Sequence, residues 1–285
     1  MKVYVAAVAK LENNYIREWI QHHIDKGFDK VIVYDNNDKG VEDIASITQD
    51  YIKSGKLVVE DRQSQLFNQK EMYREIYEKY GKECDWILYV DIDEFIQFDK
   101  AKNIKEFLTN PKFSKVKYIR ICWKTYTDSG LLKVENGNYS IKRFNIPFGN
   151  QNSMMSRRCK SIYKTKDAEV CKGLSVHTSH YNGDFACCDV LGNGCGYSST
   201  TVPKAIWKVC WINHYSTKTI EEYITNKIKK HVLGNRQHDS KYDSVYIPGL
   251  VDLSSFWEVN ERTKEKEALA KELYEKYHIT DKSRK

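Results

Sequence analysis

Long apolar runs are missing from this 285-residue chain; no stretch approaches the roughly 20 apolar residues that a membrane span requires. Proline is scarce, with four in all, and no low-complexity tract, Pro/Gly/Ser linker or internal repeat appears, which excludes solenoids and leaves no sharp domain boundary. A signal-peptide pattern is missing too. The opening MKVYVAAVAKLENNY turns polar after a short apolar run, so it reads as a first core strand, and the cytoplasm is the expected location. Cysteine is not scarce, but the eight present lack paired C-x-x-C knuckles. They read as reduced thiols, several inside apolar strands where Cys packs as a small hydrophobe. Cys171, Cys187, Cys188 and Cys195, with His177 and His180 nearby, form a loose cluster without zinc-site spacing.

Neither charge sign dominates. The net charge of +7 comes from 46 basic and 39 acidic residues, with much of the excess after residue 200. That balance predicts an anionic partner such as phosphate or acidic lipid, while the interspersed acidic residues weigh against nucleic acid. A content of 41% hydrophobic and 30% charged residues belongs to an ordinary globular protein that needs no disulfide to fold.

What is present is alternation. KVYVAAVA reads as a strand; Tyr15, Ile16, Trp19, Ile20, His23 and Ile24 then form a stripe at helical spacing that Gly27 ends. FDKVIVY is a second strand, followed by the turn-rich DNNDKG, a helix near 41–53, the strand KLVVED, a helix near 69–80 and the strand WILYV. Strands alternating with helices predict an α/β fold with a mainly parallel, Rossmann-like sheet flanked by helices, with ligands beyond the carboxyl ends of its strands. After residue 110 come the strand-like KYIRICW, NYSIKRF and AIWKVCWI. A helix follows NHYST, with Thr219 and Glu222 at capping-box spacing and Ile220, Tyr223, Ile224 and Ile228 as its apolar face. From Leu253 onward the pattern is helical again.

In CDWILYVDIDEFIQFD, residues 84–99, the carboxylates Asp91, Asp93 and Glu94 follow directly on an apolar run. If the strand continues through them, side chains alternate, so Asp91 and Asp93 project to one face and Glu94 to the other. Neighbouring carboxylates stay ionised most easily beside a divalent cation, and oxygen ligands of this sort suit Mn²⁺ or Mg²⁺. The plainer alternative is a solvated strand end.

KLENNYIREWIQHHIDKGFDKVIVYDNND, WILYVDIDEF, WKTYTDSG, CKSIYKT and WINHYSTKTIEEY run through the chain in that order. In this the sequence resembles glycosyltransferase family 92 and its bacterial relatives related to family 2, over roughly residues 1–230. The resemblance implies a GT-A type fold, a nucleotide-sugar donor, usually a UDP-sugar, and a D-x-D motif that binds Mn²⁺ or Mg²⁺ with the diphosphate. It implies Asp93 as direct metal ligand, Asp91 on the ribose or on the metal through water, and His214 as the late histidine that returns to the metal or diphosphate. The expected organisation is a glycosyltransferase domain over 1–215, with a nucleotide-sugar-binding half (1–110) and an acceptor half (111–215), and a C-terminal helical extension (216–285) packed on it.

Further candidates follow from position. Ala7, Lys10 and Asn13 follow the first strand and Asp35 and Asn36 the second, where such a sheet holds base and ribose. Asp35 either accepts a hydrogen bond from uracil or ribose or closes an Asx turn in DNND. Arg62 and Lys70 are candidate phosphate or sugar contacts. Lys160, after Arg157 and Arg158, is a candidate for stabilising the departing diphosphate, or else belongs to a solvated basic face. Asp184 in HYNGDF is the first candidate base for deprotonating the acceptor hydroxyl, and Asp128 in TYTDSG the second. His177 and His180 lie in a polar loop of the kind that shapes an acceptor site. Trp123, Tyr126 and Trp211 are placed to stack on sugar rings, or simply fill the core.

The expected reaction is metal-dependent transfer of a sugar, with galactose a candidate, to a hydroxyl of a glycan or lipid-linked glycan acceptor, with inversion implied by the resemblance. Surface polysaccharide or lipopolysaccharide synthesis is the expected setting, and the basic, amphipathic stretch 218–241 offers a peripheral contact with the inner membrane face. Two rivals remain: an aspartyl-phosphate phosphatase, whose motif normally has Thr or Val where Phe95 stands, and a non-catalytic nucleic-acid- or sugar-binding module.

Overall fold

The computed structural model describes residues 1–65, 68–134, 140–165, 173–174, 177, 187–195, 200–232, 250–251, 253–277 and 280–281. The first half runs β1 (Val3–Ala9), α1 (Asn13–Asp25), β2 (Lys30–Asp35), α2 (Ile44–Ile47), α3 (Gln49–Lys53), β3 (Leu57–Asp61), α4 (Gln69–Tyr80) and β4 (Trp86–Tyr89). β1 is apolar and buried at every position, as a strand covered on both faces must be. Val3, Val5, Ala7 and Ala9 share a core with Tyr15, Ile16 and Trp19 of α1. Tyr4, Ala6 and Val8 face the other way, into a core with Met72, Tyr73, Ile76, Tyr77 and Tyr80 of α4. Strands β1 to β4 pair in parallel in the order β3-β2-β1-β4, so their carboxyl ends gather on one edge.

The second half adds β5 (Glu94–Phe98), α5 (Ile104–Leu108), β6 (Tyr118–Thr125), α6 (Ser140–Arg143), α7 (Met154–Arg157), β7 (Cys159–Lys164), β8 (Cys187–Asp189) and β9 (Cys210–His214). These extend the same nine-stranded sheet past β4 as β7-β6-β9-β5, with β8 beside β6. β7 is antiparallel to β4 and β6, and β9 runs parallel to β6 and antiparallel to β5. The register that matters is Glu94 opposite His214.

The chain ends in α8 (Ile220–Val232), β10 (Leu250–Val251), α9 (Ser254–Val259), α10 (Lys264–Lys276) and β11 (Thr280–Asp281). Glu222 N donates to Thr219 Oγ1 at 3.1 Å and Thr219 N to Glu222 Oε2 at 3.2 Å, which is the capping box read from the sequence. Ile220, Tyr223 and Ile224 pack against Phe256, Leu269 and Leu273 in a separate small core. None of the described helices is long and apolar enough to cross a membrane. Of the basic stretch 218–241, residues 233–241 lie outside the described residues.

Four local expectations need correction. Within NYSIKRF the described Ser140–Arg143 is a helical turn and not a strand, because Glu18 of α1 accepts Ser140 N at 2.7 Å and Ile141 N at 3.0 Å. AIWKVCWI becomes a strand only from Cys210, since Val209 takes φ 68 and Trp207 turns away to donate to Trp123 O at 2.7 Å. The helix near 41–53 breaks at Thr48, whose hydroxyl bonds Ile44 O at 2.7 Å. Finally, the strand WILYV stops at Tyr89, and residues 90–93 turn: Glu94 N donates to Asp91 O at 3.1 Å and Asp91 N to Glu94 Oε2 at 3.0 Å. Strand alternation therefore does not apply to Asp91 and Asp93, and Glu94 folds into their cluster instead of away from it.

Candidate active site

The turn after β4 presents Asp91 and Asp93 at the carboxyl edge of the sheet, and β5 begins with Glu94 at its base. Asp91 is held from three directions. Its Oδ1 accepts from Gln69 Nε2 at 3.0 Å and Tyr73 OH at 3.3 Å, and its Oδ2 accepts from Lys160 Nζ at 2.7 Å. Lys160 has no exposed side-chain surface and also lies 3.6 Å from Glu94 Oε2. A buried ammonium survives only with such partners. Burial lowers the pKa of Lys160, but Asp91 and then Glu94 reverse this and leave it raised. Partial burial pushes the Asp91 carboxyl up, and the Lys160 ammonium more than offsets it, so its net shift is downward. Glu94, fully buried, is pushed well up by burial, with Asp91 and Asp93 adding to the effect against Lys160.

His214 closes the cluster from β9. Its Nε2 is 3.8 Å from Asp93 Oδ2 and 4.0 Å from Glu94 Oε1. Burial holds its pKa down to about 4, so the imidazole is neutral near pH 7 and its nitrogen lone pair is available. Asp93, Glu94 and His214 each offer a ligand atom, all within 4.8 Å of one another, and among the described residues they are the one group of His, Cys and carboxylate side chains so arranged. Glu94 Oε1 and His214 Nδ1 are buried without a hydrogen-bond partner among the described residues. The two carboxylates suit Mn²⁺ or Mg²⁺, and the neutral imidazole, a ligand of transition metals, favours Mn²⁺ of the two.

The wall around the cluster is aromatic. Trp123 lies 4.1 Å from the His214 ring and 5.7 Å from the His177 ring, centroid to centroid, and Arg158 sits 6.0 Å over its indole. His177 Nδ1 bonds Cys159 O at 3.1 Å, and burial lowers its pKa to about 4. Trp123 Nε1, Ser216 Oγ and Thr217 Oγ1 are buried without hydrogen-bond partners among the described residues. Tyr126 N donates to His214 O at 3.0 Å and its ring packs on Tyr215 at 5.1 Å, while Trp211 bonds Asn213 at 2.9 Å beneath Lys124.

At the first two strand ends the residues fall into different roles. Asp35 is an internal brace: its Oδ1 accepts Asn37 N at 3.0 Å and Asn37 Nδ2 at 2.6 Å, and its Oδ2 accepts Ile44 N at 3.0 Å. The Asx turn, and not a free nucleotide contact, is what the structure shows there. Asn36 donates to Arg62 O at 2.9 Å and Gln65 O at 3.1 Å, while its buried Oδ1 has no partner among the described residues. Asn13 Oδ1 is likewise buried and unpartnered among the described residues. Lys10 pairs with Asp38 at 3.2 Å. Ala7 is a correction: it is fully buried inside β1, two residues short of the strand end, with its side chain in the core. Arg62 pairs with Glu75 and lies 4.8 Å over Tyr34. Lys70 is exposed on the first turn of α4, beside the Gln69 that reaches Asp91.

Asp128 is a second correction. It is 3% exposed, its Oδ2 is 2.5 Å from Lys266 Nζ, its Oδ1 accepts Gly130 N at 2.9 Å, and its own N–H donates to Asn260 Oδ1 at 2.6 Å. A base needs an open lone pair facing substrate, and this carboxylate is spent on pinning the C-terminal helices to the domain. Lys160 also moves: it lies behind Asp91, and Arg158 is the exposed cation of the site. Arg157 is taken up by Val202 O at 2.7 Å. Asp184 and His180 lie outside the described residues. Sequence reasoning missed Glu94, although a glutamate opening the apolar strand EFIQF is itself a signal that something buried must satisfy it.

An extended sheet whose carboxyl edge carries an acidic turn, closed by an antiparallel pair that returns a histidine to it, is a GT-A type α/β architecture. The chain belongs to glycosyltransferase family 92, whose family model matches residues 5–247. Similar curated proteins include a family 92 glycosyltransferase of Ricinus communis, 21% identical over 183 residues, 64% of this chain and 32% of that protein. One of Oryza sativa subsp. japonica is 25% identical over 132 residues, 46% of this chain and 22% of that protein. The matched segments thus span a third or less of those relatives. Among solved structures, S. aureus TarS in complex with UDP-GlcNAc is 18% identical, with TM-score 0.40, over 60% of this chain and 48% of that one. The mannosyltransferase PcManGT of Pyrobaculum calidifontis, in complex with GDP-Man and Mn²⁺, is 12% identical, with TM-score 0.30, over 42% and 35%.

Proposed function

We propose that this chain transfers a sugar from a UDP-linked donor to a hydroxyl of a glycan or lipid-linked glycan acceptor, with the donor diphosphate held through Mn²⁺ or Mg²⁺ at Asp93, Glu94 and His214. The observation that carries the reading is the approach of those three ligand groups to within 4.8 Å at the carboxyl edge of the sheet. When bound, the cation neutralises charge on the leaving diphosphate as a Lewis acid. The chain's own residues do the rest. Lys160 fixes the orientation and ionisation of Asp91, leaving Asp91 able to accept from a ribose hydroxyl. Arg158 adds positive charge on the Trp123 side, where a departing diphosphate gains from it. Trp123 and His177 wall the pocket from water. Asn36 and Asn13, each with a buried free carbonyl oxygen, are the proposed base and ribose contacts. Asp184 remains the proposed base on sequence grounds, acting with inversion.

Thermal shift tests the reading. UDP with Mn²⁺ raises the melting temperature, and EDTA removes most of the rise, because a ligand that binds only the native state stabilises it by mass action. Equal stabilisation by UDP with and without metal would contradict the role given to Asp93, Glu94 and His214. A phosphatase reading has no support in the family membership, and release of phosphate from simple phosphomonoesters is not expected.

A further inference from the structure

Two thiol pairs lie in the second half of the sheet, on and beside β6, β7 and β8. Cys122 and Cys159 stand opposite each other on β6 and β7, with sulfurs 3.5 Å apart and no more than 1% exposure. Cys187 and Cys195 differ: their sulfurs are 2.6 Å apart, and although Cys187 is buried, Cys195 is partly exposed. That separation is much nearer the S–S bond length of about 2.05 Å than is the spacing of the first pair.

The closeness is built into a hairpin. Cys195 N donates to Cys187 O at 3.2 Å, and Cys188 bridges Gly194 in antiparallel fashion. The turn between them is locked by Asp189, whose Oδ1 accepts Leu191 N at 2.8 Å and Asn193 N at 3.0 Å. Gly192 takes φ +93, which only a glycine adopts without steric cost. β8 is itself paired to β6, with Cys187 opposite Tyr118, so the outer arm of the hairpin cannot drift away from the domain. Cys187 is 3% exposed and donates its S–H to Cys195 O at 2.7 Å, while the Cys195 side chain, ahead of the Arg120 guanidinium, shifts its pKa down to about 7.

We propose that Cys187 and Cys195 form a reversible disulfide, a covalent modification site apart from the Asp93, Glu94 and His214 cluster. The oxidant is a small disulfide of the glutathione class. A protein thiolate attacks one oxidant sulfur and releases one thiol; the partner cysteine then attacks the mixed disulfide and releases the second. Two protein thiols lose two electrons and two protons, and the oxidant S–S bond becomes two thiols. The new bond fastens the hairpin beside β6, the strand that also carries Trp123.

The test incubates the whole chain with oxidised glutathione, blocks remaining thiols and maps peptides without reduction, beside a sample returned through dithiothreitol. The expected result is a Cys187–Cys195 cross-linked peptide that dithiothreitol abolishes, with Cys122 and Cys159 unlinked to each other. Oxidation also raises the melting temperature by about 2 to 4 °C, the scale for closing a short loop in a chain of this size. Cys195→Ser removes both the cross-link and the rise. The proposal is overturned if both cysteines remain open to alkylation after oxidation, or if a glutathione adduct on Cys195 persists unresolved. Because the cross-link is read in the unsubstituted chain, the result does not depend on how a variant folds.

Discussion

Lys160 donates to Asp91 across 2.7 Å from a side chain with no solvent exposure. Among the described residues, this ammonium is the one cation paired with both Asp91 and Glu94. With Asp91, Asp93 and Glu94 all ionised, the cluster keeps an excess of about two negative charges, which is costly beside a core. A divalent cation supplies the balance. Without one, burial and then the neighbouring Asp91 and Asp93 carboxylates favour the protonated form of Glu94, against Lys160.

Lys160→Met should therefore destabilise the protein by about 3 kcal/mol, the scale for removing one partner of a buried ion pair. Urea unfolding measures it. A loss under about 0.5 kcal/mol, the range of an ordinary surface change, would contradict the bracing role.

Asp128 and Lys266 form another buried pair, far along the chain from each other but in contact at 2.5 Å. Asp128→Asn should lower stability by a few kcal/mol, since the Lys266 ammonium, 4% exposed at its side chain, loses its counter-charge. Sugar transfer per folded molecule should stay within about twofold, because removal of a true general base typically costs about a hundredfold or more. A hundredfold loss in well-folded Asp128→Asn would return it to the catalytic role expected from sequence.

Much of the first half was legible because both of its cues are local. Seven consecutive buried positions in β1 and the helical stripe of α1 report burial directly, and the strands β2, β3 and β4 read out in the same way. The capping box at Thr219 and Glu222 is a two-residue chemical signal and needed no tertiary context. What failed depended on distant partners. Ser140–Arg143 became helical because Glu18 lies under its first amides, and no local pattern in NYSIKRF records that. The side on which Glu94 projects was misread because the turn at 90–93 breaks strand alternation just where the charges begin. Asp128 looked like a loop carboxylate because its partner is Lys266, and Lys160 looked like a surface cation because its partner is Asp91. The return of His214 to the turn, which the resemblance implied, rests on the pairing of β5 with β9, which no sequence pattern records.

Acid sensitivity has a defined sign. His22 bonds Ile96 O at 2.8 Å, and burial lowers its pKa to about 4; His177 and His214 share that direction and value. In the unfolded chain these groups titrate near about 6.5. The unfolded state thus binds more protons between the two values, so the contribution is fully present above about 6.5 and is lost as pH falls toward about 4. His22→Gln keeps a donor for Ile96 O but has no charge to titrate, so it should shrink the loss of stability between pH 7 and pH 5 by on the order of 1 to 2 kcal/mol. Urea unfolding at both pH values gives the difference; an unchanged loss in the variant would show that His22 titrates alike in both states.

The central claim is that Asp93, Glu94 and His214 hold one divalent cation together with the donor diphosphate. The most direct measurement is calorimetric titration of Mn²⁺ into the chain at saturating UDP, repeated with Glu94→Gln. The substitution keeps the size of the side chain and removes the buried charge, and its urea midpoint confirms that the variant is folded. The account predicts one Mn²⁺ per chain in the unsubstituted protein and an affinity at least about tenfold weaker in the variant, a difference of about 1.4 kcal/mol. Equal Mn²⁺ affinity in folded Glu94→Gln, or no Mn²⁺ binding by either protein, would contradict it.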